Sequence, residues 1–590
     1  MKSGRSTLRL AVYVEANSAP GQLGRRRILL YYVGNDQTGG TMIVELPDSW
    51  DEVVDVIVVG SGGAALTAAT LAADGGARTL VVEKSDMIGG TTAVSGGVLW
   101  IPQNAHMSEG GMEDSREDAL AYVRHLAMGL EPDPDLLEVF VDTAPQALEY
   151  LESNTPVTMA SLSVFPDYYF PYDVPGKKPG GRSVEPVPYA FGAELPDWRD
   201  RLVSRGTLMS LGSYTTLAED LFGANDPNFD AELARREAED VRPKGAALIG
   251  MLWKGLLARD VGIRLSTPAR ELISSDGAIV GVRAEHEGSD VFLGARKGVV
   301  LACGGFEWNR DMVRDLIGYA VQPLSPPNNV GDGLVMATEA GAALANLNSY
   351  WGTPAMFDPA IVDDGEPVPQ FEGGRGMPGS IIVNGHGHRF ANEAVPYNDF
   401  PKAFGTFDAS RAEFPNQAPA WMIFDHEAKE STQILSITPG QPVPDWVDRG
   451  DTIAELAQRI GVDPATLDAT VSRYNTNAEK GTDPDFDRHL FGLMVAPPLR
   501  PLGAAPYYAL ALYPGTLGTN GGPRVTADSQ VISRAGSPIP GLYAAGNTAA
   551  NVFGWAYPSG GATIAHGVTF GYLAGRHVAA QTASTAFAGP

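Results

Sequence analysis

The chain has 590 residues, 43 of them Lys or Arg and 70 Asp or Glu, with a formal charge of −27 at pH 7. That length exceeds one ordinary hydrophobic core, and the acidity excludes a nucleic-acid binder, which needs a basic face. A single Cys excludes an intramolecular disulfide and suits a reducing compartment, so a cytoplasmic protein is expected, with membrane association as the alternative. Apolar residues make up 44% and charged residues 19%, the balance of a folded chain. The 69 glycines exceed the usual ~7% share, and 22 of them crowd into 60–97 and 515–575.

The first 41 residues carry Lys2, Arg5, Arg9, Arg25, Arg26 and Arg27 against only Glu15 and Asp36. Their apolar stretch at 8–14 is broken by Arg9 and too short for a secretory signal, which needs ~7–15 unbroken apolar residues. Residues 1–42 are therefore read as a basic extension outside the fold. No stretch reaches the ~20 apolar residues of a membrane-spanning helix.

Residues 53–59 (VVDVIVV) form a nearly continuous β-branched run, as in a strand buried on both faces. The run enters Gly60-Ser61-Gly62-Gly63-Ala64-Ala65, and an alanine-rich helix is expected over 66–74. In this Gly-x-Gly-x-x-Ala turn Gly60 permits the bend, Gly62 lets backbone approach a pyrophosphate, and Ala65 allows close helix–strand packing. Gly63 and Ala64 lead into the helix whose N-terminus would hold the diphosphate. A second buried strand, 79–82, ends at Glu83 and Lys84, where an acid is expected to accept ribose hydroxyls. Gly89-Gly90-Thr91-Thr92 and Ser95-Gly96-Gly97 follow, backbone suited to a long extended dinucleotide, which favours FAD over NAD. No His lies in this run, so the FAD is expected to be non-covalent.

Near the other end, 541–547 closes on Gly546-Asn547, whose amide suits a ribityl chain or a phosphate. Tyr557-Pro558-Ser559-Gly560-Gly561 then opens a helix running toward residue 574. There the N–H groups of Gly561 and Ala562 would be free, with Thr563 and Ile564 in the same first turn, all facing a negative group. A strand at 298–302 leads into Cys303-Gly304-Gly305, with Gly304 on the cofactor and Cys303 a small buried hydrophobe.

These residues carry a resemblance. GSGGAALTAA (60–69), VVEKSDMIGGTTAVSGG (81–97), GHRFANE (387–393) and GLYAAGN (541–547) are similar to the fumarate reductase/succinate dehydrogenase flavoprotein superfamily. Within it, FPDYY (165–169), NEAVPY (392–397), GTLGTNGG (515–522) and NTAANVFGWAYPSGGATI (547–564) resemble the 3-ketosteroid Δ1-dehydrogenases. The likeness spans about 52–585. It implies an FAD-dependent oxidoreductase that removes the C2 proton and C1 hydride of a 3-oxosteroid, the hydride passing to flavin N5. It implies Tyr397 as base, Tyr168 as its support, and Tyr557 with the Gly561 N–H as holders of the C3 oxygen. Electrons would then pass to a quinone-like acceptor that the sequence does not identify.

Three features leave alternatives open. Tyr169 and Tyr172 lie close enough to Tyr168 to compete for its role. Ser559-Gly560 stands where the Δ1 enzymes carry Gly-Pro, and a serine there is similar to the Δ4-(5α)-dehydrogenases, so regiochemistry stays open. Fumarate reductase-like chemistry needs cationic clamps, for which Arg375 and Arg389 are candidates; Arg389 also reads as a structural salt bridge. A non-catalytic dinucleotide-binding protein is the remaining class. His386 and His388 lack an accompanying Cys or carboxylate cluster, so no metal is expected.

The expected architecture is α/β. A doubly wound Rossmann-type FAD-binding domain (43–349 and 505–590) carries an inserted α+β substrate-capping domain (350–504). In the insertion, 452–460 has apolar residues at helical spacing and a Gly461 stop, which reads as core packing. Residues 175–245, uneven in composition, are the candidate lid or peripheral membrane contact.

Overall fold

The computed structural model describes residues 46–204, 214–223, 228–363, 365–371, 374–490 and 499–587. The basic extension lies outside these residues. The β-branched run forms the strand Glu52–Val59, in which Val56, Ile57 and Val58 are fully buried. Thr79–Val82 pairs with it in parallel on one side and Ser289–Leu301 on the other. The sheet has eight strands, six of them in the order Gln530–Ile532, Pro538–Ala544, Ser289–Leu301, Glu52–Val59, Thr79–Val82, Gly262–Arg264. The hairpin Ala269–Ser275 and Ala278–His286 joins antiparallel to Ser289–Leu301. Pro538–Ala544 is parallel to Ser289–Leu301, so the two ends of the chain meet in one sheet. This is a doubly wound FAD-binding fold, whose ligand crevice lies beyond the carboxyl ends of the strands.

Two helices start beyond those strand ends, Gly63–Asp74 and Ala562–Ala579. They cross at short range because small residues face each other. A Cβ on Gly571 would lie 2.5 Å from the Ala64 carbonyl oxygen, and one on Gly575 2.3 Å from that of Ala68. Glycine removes both clashes, and the two helix N-termini are thereby brought side by side.

A second, seven-stranded sheet contains the order Glu366–Phe371, Tyr350–Asp363, Tyr507–Thr519, Ala420–Asp425, Ser380–Val383. Tyr507–Thr519 also pairs with Gln322–Pro323 and Asp448–Gly450. This sheet thus draws strands from both sides of the 350 and 505 positions. The helix Ile453–Ile460 forms as its pattern requires. Thr452 caps it by accepting the Glu455 N–H, Gly461 ends it at φ +74°, and Ile453, Leu456, Ala457 and Ile460 are buried.

The described part of 175–245 folds onto the first domain. Leu217–Phe222 begins with a capping box between Thr216 and Glu219. Asp220 on that helix pairs with Lys244 at 2.5 Å, at the start of the buried helix Lys244–Leu257. No helix among the described residues is long and apolar enough to cross a membrane.

Candidate active site

A cavity of about 590 Å³ lies beyond the strand ends. Its wall includes Gly60, Gly62, Gly63, Ala64, Glu83, Lys84, Gly90, Thr91, Thr92, Ser95, Gly96, Gly97, Gly304, Gly546, Asn547, Thr563 and Ile564. Tyr168, Tyr397, Tyr557 and Gly561 line the same cavity. Three expected cofactor residues are not on that wall. Ala65 is fully buried in the helix behind it. Gly89 shapes the turn, at φ +103° and with its N–H donated to Ser61 Oγ. The Ala562 N–H, expected to be free, donates to the Ser559 carbonyl at 3.2 Å, because the chain makes a tight turn before the helix.

The dinucleotide end has the features an extended anionic cofactor needs. Gly60 sits at φ +110°, where a Cβ would meet the Ala302 carbonyl oxygen at 2.5 Å. Gly62 differs: a Cβ there would meet Thr92 Oγ1 at 3.7 Å, an ordinary contact, so packing within the protein does not demand glycine at this place. The helices Gly63–Asp74 and Ala562–Ala579 both begin at glycines without side-chain caps. The first N–H of each is taken, Gly63 by Thr92 Oγ1 and Ala562 by the Ser559 carbonyl. The next N–H groups of each first turn, with the helix dipole, favour an anion. Glu83 accepts from Ser61 Oγ at 2.7 Å and the Ser85 N–H at 2.9 Å. Burial raises its carboxyl above the ordinary value, and those donors oppose the rise. Lys84 Nζ turns to Asp332 at 2.9 Å and the Asn328 carbonyl at 3.2 Å. Thr91 Oγ1 accepts from Asn329, and Thr92 Oγ1 from the Gly63 N–H. Asn547 is held by Trp351 Nε1, which donates to its Oδ1 at 3.0 Å, leaving the amide nitrogen for other acceptors. Cys303 lies in the wall as a half-buried neutral thiol, pushed up to about 12 by burial.

At the other end three tyrosine rings meet. Ring centroids are 5.3 Å apart for Tyr168 and Tyr397, 5.6 Å for Tyr397 and Tyr557, and 5.8 Å for Tyr168 and Tyr557. Burial lifts the Tyr397 hydroxyl well above the usual phenol range, and the adjacent Tyr168 and Tyr557 add to the rise. Thr563 Oγ1 donates to the Tyr557 hydroxyl at 3.3 Å. The Gly561 N–H has no protein acceptor among the described residues, and Gly561 stands at φ +98° beside this tyrosine.

The structure separates Tyr168 from its neighbours. The Tyr168 N–H donates to the Pro558 carbonyl at 3.1 Å, while Tyr169 turns its hydroxyl to Asp399 at 2.7 Å. A buried ionic network anchors the loop: Asp167 accepts from Trp100 Nε1 at 2.9 Å and Arg182 at 2.8 Å, and Arg182 also binds Asp114. Ser559 is fully buried, off the cavity wall, and donates its hydroxyl to the Pro166 carbonyl at 3.0 Å. It therefore ties two loops together. Arg389 forms buried pairs with Glu393 at 2.7 Å and Asp483 at 2.8 Å, a structural salt bridge away from the cavity. Arg375 does line the cavity; its guanidinium lies over the Phe400 ring at 5.3 Å and donates to the Glu393 carbonyl.

Sequence reasoning missed several wall-building residues. Trp351 meets Tyr557 edge-on at 5.1 Å and Phe371 meets Tyr397 edge-on at 5.2 Å. Leu217, Asp220 and Leu221 of the 175–245 segment also line the cavity. Ser61, the ligand of Glu83, was visible inside the glycine turn; the others carry no local signal.

The glycine cradle, the paired helix N-termini and the buried acid fit FAD and define a flavin-dependent oxidoreductase. The chain belongs to the FAD binding domain family, which matches residues 55–564. It is 38% identical over 546 residues to a 4-oxocyclohexanecarboxylate 2-dehydrogenase of Sinomonas cyclohexanicum, covering 90% of this chain and 93% of that protein. It is 35% identical over 565 residues to a 3-oxosteroid 1-dehydrogenase of Mycobacterium tuberculosis, covering 89% and 98%. A solved 3-ketosteroid Δ1-dehydrogenase of Sterolibacterium denitrificans, in complex with 1,4-androstadiene-3,17-dione, superimposes with a TM-score of 0.81 at 35% identity, over 90% of this chain and all of that one. The protein is thus an FAD-dependent dehydrogenase of CH–CH groups, within the fumarate reductase/succinate dehydrogenase flavoprotein superfamily.

Proposed function

We propose that the chain introduces a ring double bond next to a ketone, with a 3-ketosteroid desaturated at C1–C2 as the substrate. The observation that carries this reading is the meeting of Tyr168, Tyr397 and Tyr557 beside the Gly561 N–H on one cavity wall. Bound FAD supplies the hydride acceptor. Tyr557 and the Gly561 N–H hold the carbonyl oxygen, where negative charge builds as the α proton leaves. Tyr397 takes that proton. A buried phenol above its ordinary pKa is a strong base once ionised but is rarely ionised at neutral pH. Tyr168, its ring 5.3 Å from that of Tyr397, is the neighbour that would support the base. Phe165, Phe371, Val395 and Leu517 supply apolar wall for a steroid.

A second substrate is favoured by Arg375, a cationic side chain on the wall of the same cavity. A guanidinium there suits a cyclic ketone that carries a carboxylate, such as 4-oxocyclohexanecarboxylate. The two readings share the proton abstraction and differ in what sits on the far side of the ring. Turnover of 4-androstene-3,17-dione and of 4-oxocyclohexanecarboxylate with an artificial electron acceptor decides between them. Arg375→Met should lower kcat/KM about 10-fold or more for the carboxylate alone; an equal effect on both ketones removes the arginine from substrate recognition. Turnover of neither ketone overturns the proposed function.

A further inference from the structure

The three tyrosines come from three separate segments, and one polar cluster behind them ties those segments together. Tyr169, next to Tyr168, donates its hydroxyl to Asp399 Oδ2 at 2.7 Å. Asp399 itself follows Tyr397 by two residues. Asn398 Nδ2 donates to Asp399 Oδ1 at 3.1 Å and to the Trp555 carbonyl at 3.2 Å, two residues before Tyr557. Lys402 Nζ reaches the same two acceptors, the Trp555 carbonyl and, at 3.5 Å, Asp399 Oδ1. Asn398 Oδ1 accepts the Gly352 N–H at 2.9 Å, next in the chain to the Trp351 that meets Tyr557 edge-on. Tyr169, Asn398, Asp399 and Lys402 all lie off the cavity wall.

We propose that Asp399 is the positioning residue of the site, holding the Tyr168, Tyr397 and Tyr557 segments in register through Tyr169, Asn398 and Lys402. This rests on the reading of Tyr397 as the base. Each tyrosine stands outside regular strands and helices, so sheet and helix hydrogen bonds do not set their mutual spacing. A carboxylate does so well, because its bond to the Tyr169 hydroxyl, at 2.7 Å, is charge-assisted and stronger than a neutral one, and the Lys402 ammonium adds a longer ion pair at 3.5 Å. Burial pushes the Lys402 ammonium down from its ordinary value and Asp399 opposes this. Removing the carboxylate would leave that cation with only neutral acceptors, five residues from the Tyr397 it should steady. A displacement of about 1 Å between reacting groups costs about 10²-fold in rate.

The test uses the full chain loaded with FAD, assayed with both ketones above, and compares Asp399→Ala, Asp399→Asn, Tyr169→Phe and Tyr397→Phe. The readouts are kcat, KM, flavin bound per chain and melting temperature. Asp399→Ala should lower kcat about 10- to 100-fold while KM changes by less than about 3-fold and flavin content holds. Asp399→Asn keeps an acceptor for Tyr169 and should recover part of the loss. Tyr169→Phe should lower kcat less, and adding it to Asp399→Ala should cost nothing further, because both act through one contact. A kcat within about twofold of the parent for Tyr169→Phe and Asp399→Ala overturns the assignment, as does a loss that merely follows flavin content. If Asp399→Ala does not fold, Tyr169→Phe decides alone by the same criterion. An active Tyr397→Phe overturns the base reading and this assignment with it; an inactive one beside an unaffected Tyr169→Phe overturns only the positioning role.

Discussion

The rings of Tyr397 and Tyr557 stand 5.6 Å apart at 51°, although about 160 residues separate them in the chain. Trp351 and Phe371 back them edge-on from two strands of the second sheet. Burial and its two tyrosine neighbours all hold the Tyr397 hydroxyl above the ordinary phenol value. The phenol must therefore act from a small ionised fraction, and that has a kinetic signature.

A base acts only when deprotonated, and Tyr397 is held above a phenol's ordinary pKa of 10. The active fraction therefore falls tenfold for each pH unit below that pKa. The pH profile of kcat/KM should rise with a slope of one through at least about pH 9. Tyr397→Phe should lose about 10³-fold in kcat with its flavin retained. A plateau reached below neutral pH would assign the base elsewhere.

Gly60 and Gly62 should respond differently to alanine. At Gly60 the added Cβ meets backbone at 2.5 Å in a left-handed conformation, so Gly60→Ala should destabilise the apoprotein by at least about 1–3 kcal/mol. At Gly62 the nearest protein atom is 3.7 Å away, so apoprotein stability should hold within about 0.5 kcal/mol while FAD affinity falls. Melting curves with the flavin stripped and restored distinguish the two. Equal losses of apoprotein stability would place packing, and not a ligand, beside Gly62.

Ser559→Ala should leave the position of the new double bond unchanged. The hydroxyl donates to the Pro166 carbonyl inside the protein, so its removal should cost about 1 kcal/mol of stability. Product analysis with 4-androstene-3,17-dione and a saturated 5α-3-oxosteroid checks this. A switch between Δ1 and Δ4 products in the variant would put the serine back in the proton path.

The Arg389–Glu393 pair should show up in acid stability and not in substrate recognition. Burial alone would raise the Glu393 carboxyl, but Arg389 and Arg488 outweigh it and hold it at about 2. Because the folded value lies below the ordinary 4.5, this stabilisation is complete above that pH and is lost as pH falls toward 2. Arg389→Met should cost about 3–5 kcal/mol in urea unfolding at pH 7 and leave KM unchanged. A raised KM for an anionic substrate without loss of stability would return Arg389 to the site.

Much of the dinucleotide half was legible because local chemistry dictates it. A β-branched run makes the buried strand Glu52–Val59, glycine alone accepts the backbone at Gly60, and Thr452 with Gly461 bounds the helix Ile453–Ile460. These features depend on a few neighbouring residues and survive translation into sequence. The free N–H expected at Ala562 did not, since a turn from Ser559 consumes it.

What the tertiary structure decided concerns groups distant in the chain. It chose Tyr168 over Tyr169 through the bond to Pro558, turned Ser559 inward to Pro166, and spent Arg389 on Glu393 and Asp483. It also set the strand Tyr507–Thr519 in the second sheet, where it pairs with Tyr350–Asp363 and Ala420–Asp425, and brought Trp351 to Asn547. Residue type and spacing specify what a segment can form by itself. Which of several similar side chains reaches the cavity depends on which surfaces bury one another, and no single segment holds that information.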